Sequence, residues 1–299
     1  MSDPRTGPLT CAAPAKINLC LFVGPVREDG RHELVTVFQP LDLADLLEAE
    51  QDPSLDADVV ECPGVSGPNL ASAALQAYRD QTGWDGAPIR LQITKRIPIA
   101  GGMAGGSADA AAALRIAAAF AGDDDQARLE AIAAPLGADV PSQVRGRRAI
   151  GTGAGDELHR TAAKPDWDAL VLPVDAELSA GSVYAEADRL QPPRDAEEMA
   201  FLKTAVTNAE RGHGVEHAGL VINDLQRAAR RLCPAIDEAL TLLEQTGAEH
   251  ALVSGSGPTV VGLYAPGHAE QARATLAGQR TAILAYPESR RDLVPPRWP

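Results

Sequence analysis

A chain of 299 residues is long enough for one large core or two medium ones and too short for three. Only 4% of it is aromatic against 45% hydrophobic, so the core must be built from Ala, Leu, Val and Ile. The formal net charge of −14 repels nucleic-acid phosphates and anionic lipid, which argues against a nucleic-acid or membrane-surface protein and obliges any nucleotide site to use local donors.

Residues 15–23 (AKINLCLFV) predict a strand closed by Gly24 and Pro25, and residues 28–30 supply turn chemistry before a second strand over 32–41. The acidic stretch 42–50 fits either a further strand or a helical turn. Asn69, after the turn Gly67-Pro68, is placed to cap a helix over 70–80. Alternation of Ile89, Leu91 and Ile93 predicts a strand over 89–97. A glycine-rich loop follows, then a helix over 109–121 broken by three aspartates, and another over 126–135. Asp139-Val140-Pro141 reads as a helix start with proline in the first turn.

After a strand over 168–174, helices are expected over 182–189, 197–210, 218–231 and 234–246, the last ended by Gly247. Residues 251–253 and 259–264 read as strands flanking the turn Ser254-Gly255-Ser256-Gly257. A helix over 269–277 precedes a tail from Pro287 that is rich in Pro and Arg and expected to be loose. The pattern is α+β in two lobes, residues 1–160 and 161–299, without an internal repeat. Cys11, Cys20, Cys62 and Cys233 form no C-x-x-C pair, so free thiols and a reducing compartment are expected. The N-terminus has no apolar secretory segment, and the alanine-rich stretch 97–122 is interrupted by Asp109, Arg115 and glycines, so the expected location is the cytoplasm, with no membrane span.

The segment Pro98, Ile99, Ala100, Gly101, Gly102, Met103, Ala104, Gly105, Gly106, Ser107, Ala108 lies between a strand and a helix. Glycines let backbone amides turn toward a ligand, and the helix behind adds unpaired N–H groups and a positive dipole end, a combination suited to phosphate. Gly101 and Gly106 have the spacing of a Walker A loop, but Ser107 and Ala108 follow and there is no lysine; the i, i+2, i+5 glycines of a dinucleotide fingerprint are also missing. The loop alone therefore leaves open a turn that merely permits tight helix–strand packing. If it does bind phosphate, a cation and a base must come from elsewhere. Lys16 and Asp139 are the candidates, against the alternatives of an edge-strand charge and an N-cap. A second motif, His213-Gly214-Val215-Glu216-His217, fits the H-x-x-E-H pattern of a zinc metallopeptidase using His213, Glu216 and His217, although Gly212 and Gly214 disfavour the helix such a site needs.

Taken together, PAKINL at 14–19, the glycine-rich segment at 98–111 and LVSGSGPT at 252–259 resemble the three motifs of the GHMP kinase superfamily. Further segments, EDGRHEL at 28–34, TVFQ at 36–39, GADVP at 137–141, GTGAG at 151–155 and NDL at 223–225, resemble the branch that phosphorylates the 2-hydroxyl of a cytidine-diphosphate-linked methylerythritol in non-mevalonate isoprenoid biosynthesis. The resemblance implies a ribosomal-protein-S5-like N-terminal lobe, a ferredoxin-like C-terminal lobe, and ATP with Mg²⁺ as co-substrate and metal. It implies Asp139 as base and Lys16 as its charge partner, residues 98–108 on the ATP phosphates, Asn69 near the nucleotide base, and Ser107 as a candidate phosphate or magnesium contact. Asn18, Arg31, His32 and Tyr184 would face the substrate. Arg31 stands where that branch usually has Tyr or Phe, and Ala104 and Ala108 replace the more usual Gly and Ser. A GHMP-type kinase for a different small alcohol is the alternative reading, and the oligomeric state is left open.

Overall fold

A computed structural model of the chain describes residues 7–99, 101–161, 163–288 and 296–297. Two long strands, β1 (Leu9–Val26) and β2 (His32–Gln51), pair antiparallel over almost their full lengths. β1 occupies one edge of β2. Along the other edge β5 (Ala149–Thr152) pairs with residues 36–38 and β4 (Ile89–Thr94) with residues 46–51. β3 (Val59–Glu61) joins β4 in parallel and β6 (Glu157–Arg160) closes the far side. The acidic stretch 42–50 is therefore strand. Sequence reasoning missed the three-residue β3 and the pair β5–β6, which are too short to show a period.

α1 (Leu70–Thr82) begins at Asn69, whose Oδ1 accepts the Ala71 N–H at 2.8 Å, as its sequence position implied. α2 (Gly105–Ala121) starts inside the glycine-rich segment, four residues before the expected Asp109. It is buried on nearly all sides, as a helix apolar all round must be, and alanine lets it lie close to α1 and β1. α3 (Gln126–Ala133) and the short α4 (Val140–Arg145) complete this part.

A second, antiparallel sheet has the order β10-β7-β9-β8, from β7 (Asp168–Leu172), β8 (His250–Val253), β9 (Val260–Tyr264) and β10 (Ile283–Ala285). Its core joins Leu170, Leu172, Ile236, Leu243, Val260 and Tyr264 with α5 (Ala180–Leu190), α7 (Gln226–Leu232), α8 (Ala235–Gln245) and α9 (His268–Leu276). α6 (Ala196–Arg211) instead packs against β1, β2 and β5 through Met199, Leu202 and Val206.

One expectation is corrected. The helix over 218–231 exists only as α7. Residues 222–224 pair with β1 instead: the Leu21 N–H donates to Ile222 O, the Asp224 N–H to Leu21 O, and Asp224 Oδ2 accepts the Val23 N–H at 2.9 Å. Asp224 thereby ties the crossing to β1, and Asn223 Oδ1 accepts the Leu225 N–H at 2.9 Å, a local bond that competes with the helix. Of the tail expected to be loose, residues 289–295 and 298–299 lie outside the described residues, and Glu288 and Arg297 are bonded to β2 and β1. The Glu288 N–H donates to Pro40 O, and Arg297 exchanges backbone bonds with Thr10.

A buried ion cluster joins the two halves. The Arg148 guanidinium donates to Glu210 at 2.6 and 2.8 Å, to Glu216 at 2.6 and 3.0 Å and to Gln39 Oε1 at 3.2 Å. All five N–H bonds of the fork are thereby used, which is the condition under which buried charge is tolerated.

Candidate active site

The glycine-rich segment runs along a cleft of about 950 Å³. Pro98, Ile99, Gly101, Gly102, Met103, Ala104, Gly105, Gly106 and Ser107 line it, as do Lys16, Asn18, Arg31, His32, Asn69, Asp139 and Tyr184. Ala100 lies outside the described residues. Ala108 does not reach the cleft: it is buried in α2, and its N–H is spent on Ala104 O at 2.8 Å, so it is dropped from the phosphate contacts.

Ala104 is the N-cap of α2 and offers no side-chain cap, so the first amides of the helix have no partner within it. This is an open anion site carrying the positive end of a 17-residue dipole. A second glycine turn, 254–257, is pressed against the loop from behind. Ser254 Oγ donates to Gly102 O at 3.1 Å, and a Cβ on Gly102, whose φ is +73°, would stand 2.2 Å from Ser254 O. Asn223 fixes that turn by donating to Val253 O and Gly255 O at 2.9 and 2.7 Å. Two glycine motifs that are remote in sequence therefore form one wall, with Asn223 holding the second in place.

Lys16 is buried, 3% exposed, and not an edge charge. The β1 register slips between Pro14 and Lys16, and such a bulge re-aims a side chain. Its Nζ donates to Asn18 Oδ1 at 2.8 Å and lies 3.3 Å from Asp139 Oδ2. Asn18 Nδ2 donates in turn to Thr36 Oγ1, and Thr36 to Cys20 O. Asp139 occupies the N-cap position of α4, but its carboxylate makes no capping bond. The capping alternative thus fails, and the carboxylate is turned to Lys16. The Lys16 N–H donates to Met103 O at 3.2 Å, so the pair is also tied to the loop backbone.

The opposite end of the cleft holds His32, whose ring stacks on Tyr184 with centroids 5.3 Å apart and planes 20° off parallel. Burial, and then the charge of Asp139, raise the Tyr184 phenol above its ordinary range, so it stays neutral. Arg31 is exposed at the rim, where its guanidinium donates to Asp29 Oδ2 at 2.9 and 3.1 Å and to Asp156 Oδ2 at 3.2 Å.

Sequence reasoning missed two groups. Lys95 lines the cleft between Asp45 and Asp109; it bonds Asp109 Oδ2 at 2.7 Å and also Asp45 Oδ2. Asp45 Oδ1 accepts the N–H groups of Arg96 and Ile97, which lead into the loop. The one hint was a charged residue, Asp109, inside an alanine helix. Asp188, on α5, also lines the cleft, 3.3 Å from His32 Nε2.

The metallopeptidase expectation is overturned. Residues 215–217 form a single 3-10 turn, and Glu216 is buried and committed to Arg148 and to the Trp167 N–H at 3.0 Å. Burial alone would raise its carboxyl, but the Arg148 bonds outweigh that and hold it below the usual carboxylate value. His217 pairs with Asp166 at 2.8 Å. Glu216 is thus no free base. All four cysteines are free thiols, and no helix among the described residues is long and apolar enough to cross a membrane.

Comparison with known proteins agrees with this geometry. The models of the GHMP kinases N terminal domain and the GHMP kinases C terminal match residues 69–147 and 200–280. A 4-diphosphocytidyl-2-C-methyl-D-erythritol kinase of Leifsonia xyli is 40% identical over 270 residues, 85% of this chain and 87% of that one. The chain belongs to the 4-diphosphocytidyl-2-C-methyl-D-erythritol kinase family. A family member from Kineococcus radiotolerans is 38% identical over 96% of this chain and 88% of its own length. A crystal structure of a 4-(cytidine 5'-diphospho)-2C-methyl-D-erythritol kinase superposes with a TM-score of 0.76 at 32% identity, covering 94% of this chain and all of that one. The kinase family and the α+β GHMP kinase fold expected from the motifs are both borne out.

Proposed function

We propose that the cleft transfers the γ-phosphoryl group of ATP to the 2-hydroxyl of 4-diphosphocytidyl-2-C-methyl-D-erythritol. The observation that carries this reading is the Lys16–Asp139 pair, 3.3 Å apart, beside an uncapped helix start and a glycine loop. Phosphoryl transfer needs little covalent chemistry from a protein; it needs positioning and charge stabilisation. The amides of 105–107 and the loop receive the phosphate oxygens. Asp139, about one-third exposed, accepts the hydroxyl proton as the new P–O bond forms and the γ-phosphorus bond to the bridging oxygen breaks, releasing ADP. Lys16 keeps that carboxylate oriented and offsets the charge growing on the transferred group, while Asn18 fixes Lys16 in turn.

Magnesium requires hard oxygen ligands, and the Ser107 hydroxyl in the first turn of α2 suits that requirement. When bound, the ion would supply neutralisation of the phosphate oxygens. Asn69 would receive the nucleotide base, and His32, Tyr184 and Arg31, which line the same cleft, would receive the cytidyl group. The likeness to the named kinases supports that substrate.

The test is ADP release on mixing the protein with Mg²⁺-ATP and 4-diphosphocytidyl-2-C-methylerythritol. Substrate-dependent ADP with a singly phosphorylated cytidyl product is expected. ADP no greater than in a control lacking the alcohol refutes the reading.

A further inference from the structure

Two cross-links join α4 to β1. One is the Lys16–Asp139 pair, with Nζ 3.3 Å from Oδ2. The other is buried: Gln143, 1% exposed, donates through Nε2 to Pro14 O at 3.1 Å. Asp139 already has helical angles, φ −84° and ψ −18°, so it and Gln143 stand on one face of the helix. Four residues of helix rise about 6 Å and two residues of strand advance about 6.6 Å, so the cross-links are two rungs of matching spacing. The polarity of Gln143 serves its rung alone. A carbonyl can only accept, which fixes the amide with Nε2 toward Pro14, and Oε1 meets no donor among the described residues. An unpaired buried acceptor is costly, and an apolar side chain of the same length would fill the space without that cost. The bond also falls where the β1 register slips, between Pro14 and Lys16, so the ladder does not fix the strand there. α4 has six residues, too few to hold a helix in place unaided. Val140 and Val144 seat it in the core, but apolar attraction is non-directional and does not set its position along β1.

We propose that Gln143 is a positioning residue for phosphoryl transfer: by anchoring α4 on the Pro14 carbonyl, it holds the Asp139 carboxylate against Lys16. The inference rests on the reading of Asp139 as the base. Gln143 does not line the cleft, so its effect reaches the reaction only through Asp139 and leaves the binding of both substrates alone. Ser142 supports the same arrangement from within α4, its Oγ donating to Asp139 O at 2.7 Å. A base displaced by about 1 Å loses up to roughly 100-fold in rate, although no group touching substrate has been removed.

The test is a double-variant cycle. ADP release with Mg²⁺-ATP and 4-diphosphocytidyl-2-C-methylerythritol is measured for the wild type, Gln143→Met, Asp139→Asn and the double variant. Calorimetry gives each one's affinity for a non-hydrolysable ATP analogue, and a crystal structure of Gln143→Met is solved. Methionine keeps the length and volume and removes the donor; Gln143→Leu takes its place if that variant does not fold. Gln143→Met is expected to lower kcat roughly 10–100-fold, with KM for the alcohol and affinity for the ATP analogue within about threefold. In the Asp139→Asn background it is expected to cost nothing further, because no base remains to be positioned. The structure is expected to show the Lys16–Asp139 separation beyond about 4 Å, the limit of an ion pair. A kcat within about threefold of wild type overturns the assignment, and so does an equal loss in both backgrounds, which would mark a general effect on the fold. An unchanged Lys16–Asp139 separation also overturns it. A wild type without substrate-dependent ADP release would sink the kinase reading; the variant's structure then decides the positioning role by itself, a widened pair upholding it and an unchanged pair refuting it.

Discussion

Replacing Asp139 by Asn separates chemistry from binding more cleanly than any other change in the cleft. The side chains are nearly isosteric, and the carboxylate caps no helix, so α4 loses nothing locally. Two effects remain. Loss of a positioned base costs roughly 10²–10⁴ in rate, which is about 2.7–5.4 kcal/mol on the barrier. Lys16, 3% exposed, loses its carboxylate but keeps Asn18 Oδ1 at 2.8 Å and the Phe38 ring at 5.7 Å. Breaking a fully buried pair would cost about 3–5 kcal/mol; the Asp139 side chain is 35% exposed, so solvent screens this pair and about 1 kcal/mol is expected. The rate loss is therefore far larger than unfolding can explain. Steady-state ADP release gives kcat and KM for ATP, calorimetry gives affinity for an ATP analogue, and a thermal melt gives Tm. The expected result is kcat down by about 10²–10⁴, nucleotide affinity within about threefold, and Tm lower by about 2–4 °C. A kcat within threefold of wild type would remove Asp139 from proton transfer. Nucleotide affinity falling in step with kcat would instead mean that Asp139 acts by holding the loop, through Lys16 and its bond to Met103 O.

Two further predictions concern the loop. Burial pushes the Asp109 carboxyl up to about 7, against the pull of Lys95 and with added repulsion from Asp45. The folded chain thus holds a proton that the unfolded chain releases, so this group's contribution to stability falls as pH rises between about 4 and 7; Asp109→Asn should flatten the Tm–pH curve across that window, and an unaltered slope would show that the cluster does not titrate there. Gly102→Ala places a Cβ against Ser254 O at φ +73° and should cost about 2–4 kcal/mol, whereas Ala104→Gly relieves a left-handed alanine at φ +57° and should gain about 1 kcal/mol; urea midpoints read both, and equal shifts of one sign would refute the backbone argument.

Local chemistry was legible in the sequence wherever it acts over a few residues. Asn69 capped α1 because a side-chain oxygen two residues from an orphan N–H has one obvious partner. The alternation at Ile89, Leu91 and Ile93 made β4, and the glycine segment opened a helix. What could not be read were matters decided across the fold. Residues 218–225 have a sequence that suits a helix, but pairing with β1 at Leu21 and Val23 outweighs propensity. Whether Lys16 faces water or a partner depends on a bulge set by the pairing of two strands about 20 residues long. Asp45 and Lys95 are 50 positions apart and unremarkable singly, and Asp188 becomes meaningful only when α5 carries it to His32.

The same geometry explains how so acidic a chain can attract a polyphosphate. Every lysine and arginine lining the cleft among the described residues is already matched: Lys16 by Asp139, Lys95 by Asp45 and Asp109, and Arg31 by Asp29 and Asp156. None brings a bare charge for the nucleotide, so the attraction falls to dipoles: the uncapped amides of α2 and the loop pressed forward by the 254–257 turn. Dipoles fixed in place need no reorganisation when phosphate charge shifts during transfer, and they act only over the first turn of the helix. On the proposed reading the tight backing of Gly102 by Ser254 serves function as well as packing, because it keeps those donors aimed at a single point. Asn223 and the 254–257 turn thus support a loop that begins 125 and 156 residues earlier in the chain, respectively.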